Sequence, residues 1–86
     1  MATLIKADGT QTVVHPQAGI GKKFTLKEMQ TFVDGYVQYI YLESGKIAVV
    51  NEEVRIIGLK PNARASLVTG YNLVGDVLIC DNGELD

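Results

Sequence analysis

The chain has 86 residues, of which 47% are hydrophobic and 21% charged, and a formal net charge of −2. This ordinary balance excludes a disordered chain or an extended coiled coil, and a single domain spanning residues 1–86 is expected. Eight basic residues spread from Lys6 to Arg64, with only Lys22 and Lys23 adjacent, make no phosphate-neutralising surface, so direct nucleic-acid binding is not expected.

No apolar run approaches the roughly 20 residues a membrane helix needs, and the start, MATLIKADG, lacks the apolar stretch of a signal peptide. A cytoplasmic location without a membrane partner is the expectation. Cys80 is the one cysteine and His15 the one histidine, which excludes an intrachain disulfide and a Cys/His zinc site within one chain. No metal or other cofactor is expected.

In chain order, Thr3 to Ala7 and Thr10 to Val14 are strand-like runs around Asp8-Gly9, a pair suited to a type I′ turn in which both central residues take positive φ. Residues 1–15 therefore read as an N-terminal hairpin. His15-Pro16 closes its second strand, and a connector with glycines at 19 and 21 follows.

The stretch from Phe24 to Leu42 carries the clearest local signals. Thr25 and Glu28 have capping-box spacing, and Phe24 and Met29 that of a hydrophobic staple. Leu26, Met29, Phe32 and Val33 recur at three- and four-residue steps, which predicts a helix from Thr25 to Asp34 with one apolar stripe. Gly35 is expected to end it in the left-handed conformation. Tyr36 to Leu42 is β-branched, aromatic or aliphatic apart from Gln38, and is expected at the centre of the sheet.

Glu43-Ser44-Gly45 reverses the chain into Lys46 to Val50, a second antiparallel hairpin. Asn51-Glu52-Glu53 is a polar break. Val54 to Leu59 reads as a short edge strand or extended loop, limited by Gly58 and Pro61. Asn62 to Val68 predicts a second short helix, capped by Asn62 and stopped by Gly70. Val74 to Cys80 is a last strand whose Val77 to Cys80 run suits cover on both faces. Asp81 to Asp86 is an acidic tail expected to fray. The fold class is α+β: a small, mostly antiparallel sheet of four to six strands, one main helix and one short helix.

The segments FTLKEMQTFVDGYVQYIYL, AVVNEE, GLKPNARAS and LVGDVLI, taken in order, resemble a family of small phage and bacterial proteins catalogued only as a domain of unknown function. The resemblance covers roughly residues 22 to 80. This chain departs from the pattern at Val54, where a glycine is usual, and at Gln38, where a glutamate is usual. The resemblance implies a phage or mobile-element origin and no known enzymatic activity.

Two groups of residues are candidate sites. Gly19, Gly21, Lys22 and Lys23 lead into a helix N-terminus, where glycine amides, ammonium groups and the helix dipole could meet an anion, with Arg64 adding a contact. This is not a P-loop, because the four-residue spacer and the Ser/Thr after the lysine are missing. The alternative reading is a solvated loop. Asn51-Glu52-Glu53 with Asp76 or Asp81 could form an acidic pair, but their turn positions favour solvated carboxylates.

Tyr36, Tyr39 and Tyr41 put large side chains on both faces of one strand. Either the N-terminal hairpin covers the second face or that face is an interaction surface. The reading is a non-enzymatic binding protein, a stoichiometric inhibitor or adaptor of a host or phage protein complex, with CRISPR-type defence as an example. The alternative is capture of a nucleotide through the Gly19–Lys23 loop. An apolar edge at Ile56 adds the expectation of a homodimer.

Overall fold

The computed structural model describes residues 2–16, 23–52 and 60–85. Five strands, β1 (Ala2–Ile5), β2 (Gln11–Val14), β3 (Val37–Tyr41), β4 (Lys46–Asn51) and β5 (Val77–Asp81), form one sheet in the order β2-β1-β5-β4-β3. Every pairing is antiparallel. Two helices, α1 (Leu26–Val33) and α2 (Ala63–Thr69), complete an α+β fold.

The last strand joins the two hairpins. β5 lies between β1 and β4, with Leu78 opposite both Leu4 and Val49. Val77, Leu78, Ile79 and Cys80 are all buried, as a strand covered on both faces requires. The Tyr36 to Leu42 segment, expected at the centre, instead supplies β3, which ends the sheet among the described residues. Its residues are at most half-buried. Its β-rich composition describes a fit to a partly buried pleated surface, which does not specify a central place.

One face of the sheet carries Ala2, Leu4, Ile47, Val49, Leu78 and Cys80 in a core with Phe24, Met29 and Val33. The other carries Ile5, Ala48, Val50, Val77 and Ile79 with Ala65 of α2 and the following Leu73. The N-terminal hairpin thus extends the sheet sideways and covers neither face. Ala65 and Leu73 supply cover for the second.

Both hairpins close with the same three-residue loop. Lys6 N–H donates to Thr10 O and Gly9 N–H to Lys6 O, while Leu42 N–H donates to Lys46 O and Gly45 N–H to Leu42 O, all at 2.9–3.0 Å. The positive φ falls on Gly9 and Gly45 alone, so the first loop is not the expected type I′ turn; Asp8 keeps negative φ. Its carboxylate instead accepts from Thr10 N–H at 2.9 Å and Thr10 Oγ1 at 2.6 Å. These bonds hold its pKa below the usual carboxylate value.

α1 is capped as its sequence specifies. Glu28 N–H donates to Thr25 Oγ1 at 3.2 Å, and Thr25 N–H donates to the Glu28 carboxylate at 3.1 Å. Phe24 and Met29 are buried together, and the Phe24 and Phe32 rings meet edge to face at 6.0 Å. Leu26, counted in the apolar stripe, is exposed. At the far end Asp34, not Gly35, takes the left-handed conformation, with φ 60°. Gly35 serves a different need: a Cβ there would lie 2.7 Å from the Asn51 amide nitrogen.

The C-terminal residues dock instead of fraying. Asn82–Glu84 form a 3-10 turn, Phe24 N–H donates to Glu84 O at 2.7 Å, and Leu85 packs on the α1-side core. Leu85 supplies apolar area that the acidic composition of the tail obscures. No helix among the described residues is long and apolar enough to cross a membrane.

Candidate protein-binding surface

α2 is a seven-residue helix with a single buried residue, Ala65. At 100° per residue, Leu67 lies about 200° from Ala65 and must face away from the sheet. It is 87% exposed, and its neighbours Val68 and Tyr71 are 58% and 49% exposed. Gly70, with φ 80°, ends the helix by donating to Ser66 O at 2.9 Å, and Tyr71 N–H donates to Thr69 Oγ1 at 3.2 Å. These bonds fix the backbone from which the apolar side chains project.

Beside this helix end lies a cleft of about 460 Å³, lined by Leu42, Glu43 and Ser44 of the β3–β4 turn and by Val68, Thr69, Gly70 and Tyr71. The two walls are anchored independently. The turn is closed by Gly45, and α2 is held by Asn62, a buried residue with three side-chain bonds. Asn62 Oδ1 accepts from Ala65 N–H at 3.0 Å, and its Nδ2 donates to Ile5 O and Gly75 O, each at 2.8 Å. Ser66 Oγ accepts from Leu73 N–H at 2.9 Å, tying the helix to the segment that enters β5.

The strand tyrosines do not gather into one patch. Tyr39 faces α1, half-buried, and its hydroxyl donates to Met29 Sδ at 3.8 Å; burial raises its pKa. Tyr36 and Tyr41 are 63% and 69% exposed. Tyr36 just precedes β3 and Tyr41 ends it, about 17 Å apart at the usual rise for extended chain. Ile56, on which the homodimer expectation rests, lies outside the described residues.

The anion-site candidates divide in the same way. Gly19, Gly21 and Lys22 lie outside the described residues, while Lys23 and Arg64 are exposed. The helix N-terminus towards which they were expected to converge already holds the Glu28 carboxylate in its capping box. That negative charge opposes a second anion there.

Of the acidic positions, Glu53 lies outside the described residues and Glu52 is exposed, while Asp76 and Asp81 have structural partners. The Asp76 carboxylate accepts from Ala7 N–H at 3.0 Å. Asp81 pairs with Lys46 at 2.8 Å across β4 and β5. Their hydrogen bond lowers the Asp81 pKa and raises that of Lys46. Asn51, read as part of a polar break, is buried at the end of β4 and donates to Val33 O and Asp34 O at 3.0 and 3.1 Å. Among the described residues no group of three or more His, Cys, Asp or Glu is placed to hold a metal ion.

No curated protein and no solved structure matches the chain. A family model does, and it takes in the first hairpin and the docked tail as well as the segments between them. That model, described as Domain of unknown function (DUF3846), matches residues 2–86, and the chain belongs to this family.

Proposed function

We propose that the protein is a small non-enzymatic binding protein that docks on a partner protein through the C-terminal end of α2 and acts as a stoichiometric inhibitor or adaptor of the complex to which that partner belongs. The observation that carries this reading is the group of exposed Leu67, Val68 and Tyr71 on a fixed helix end beside a cleft. Single exposed apolar residues are ordinary, but contiguous ones on a rigid support match the aliphatic and aromatic anchors of protein interfaces. The phage or mobile-element setting implied by the family resemblance makes a host defence complex the proposed target.

A contact at α2 is preferred to nucleotide capture at the α1 N-terminus, because the Glu28 carboxylate repels phosphate there. Affinity capture from a lysate of the native host at mild salt, followed by light scattering of the eluted complex, tests the reading. A protein recovered with this chain at a fixed molar ratio is expected. If nothing co-purifies, the reading fails.

A further inference from the structure

The cleft beside the β3–β4 turn has a chemistry that an apolar contact at Leu67 does not use. Leu42 and Val68 give it apolar walls, Tyr71 an aromatic ring, and Glu43 and Ser44 an acidic and a hydroxyl group. Gly70 closes α2 at the same cleft, so the negative end of the peptide dipoles of the helix lies beside it. Among the described residues its lining contains no basic side chain. The volume of about 460 Å³ is within the common range for ligand pockets of about 300–1,000 Å³.

We propose that this cleft receives a basic side chain, a lysine or arginine presented by the partner protein. The long aliphatic stem of such a residue lies along Leu42 and Val68 while its charged head stays at the rim. The head meets the Glu43 carboxylate in a charge-assisted hydrogen bond, and the ring of Tyr71 offers it a cation–π contact. An acidic side chain would face both Glu43 and the negative end of the helix, and a neutral apolar one would leave Glu43 without a counter-charge. The source of the basic side chain rests on the proposed function, whereas the preference of the cleft for a cation on an aliphatic stem does not.

Titration of the isotope-labelled protein with N-acetyl-lysine methylamide and N-acetyl-arginine methylamide, with the norleucine analogue as the neutral match, tests this by amide chemical shifts. Saturable shifts at Glu43, Ser44, Thr69, Gly70 and Tyr71 are expected with a basic probe and not with norleucine. Glu43→Gln, a change at an exposed turn, should leave the rest of the spectrum in place and weaken the basic probe about twofold to fivefold, the range of a solvent-exposed ion pair. Absence of shifts with both basic probes, equal shifts with norleucine, or unchanged affinity in Glu43→Gln would overturn the proposal. Binding of a basic probe by a protein that captures no partner would leave the cleft assignment standing and remove the proposed function. Capture of a partner by a protein that binds neither basic probe would do the reverse.

Discussion

Asn51 and Asn62 are the buried polar residues of the described core, and each gives its side-chain amide to two backbone carbonyls. Removing Asn62 strands the carbonyls of Ile5 and Gly75 and uncaps α2, so Asn62→Ala should lower stability by about 3 kcal/mol in urea unfolding. Asn62→Asp keeps the cap acceptor but turns a carboxylate towards two carbonyls, and at neutral pH it should be no more stable than the alanine variant. Burial pushes the Cys80 thiol up to about 11, so the folded state retains a proton that the unfolded chain releases near pH 9. Its contribution is therefore constant below that pH and is lost on going to pH 11, by about 2 to 3 kcal/mol. The raised pKa values of Tyr39 and Lys46 act in the same alkaline direction. Urea unfolding at pH 7 and pH 10 should show about half of this fall, and Cys80→Ala should reduce its slope.

At the scale of elements, the α1 N-cap and both hairpins were legible because each depends on residues close in sequence, whereas the C-cap fell on Asp34 and not on Gly35. Thr25 and Glu28 are three apart, and each hairpin closes within a loop ended by Gly9 or Gly45. The central place of β5 was legible only as four successive apolar residues. The tyrosine-rich β composition of β3 did not specify its place at the end of the sheet, because a strand with one well-covered face and a central strand share that composition. The role of Asn51 was hidden because its partners, Val33 and Asp34, lie 18 and 17 residues back in sequence, across the β3–β4 hairpin. The close approach at Gly35 exposes that role to test: Gly35→Ala places a Cβ against the Asn51 amide. It should cost about 2 kcal/mol, the range for disrupting a buried hydrogen-bonded group, in chemical denaturation. Val33→Asp puts a charge among Phe24, Met29 and Leu78, and circular dichroism should show an unfolded chain.

For the whole molecule, insertion of β5 between the hairpins gives both sheet faces a core and leaves the end of α2 projecting from the second. The 200° between Ala65 and Leu67 on an ideal helix carries this exposure in the sequence, but the spacing alone does not say which of the two residues the sheet covers. The structure separates the strand tyrosines, burying part of Tyr39 and leaving Tyr36 and Tyr41 exposed five residues apart. The distinction between folding and docking residues gives a direct test of the central claim. The native chain, Leu67→Asp and Leu26→Asp should be compared in parallel capture from host lysate, since both substitutions add a charge at an exposed apolar site but on opposite sides of the sheet. Each should change stability by no more than about 0.5 kcal/mol, as expected for surface positions. The account predicts that Leu67→Asp loses the partner while Leu26→Asp retains it; retention by Leu67→Asp at the native level would contradict docking through α2.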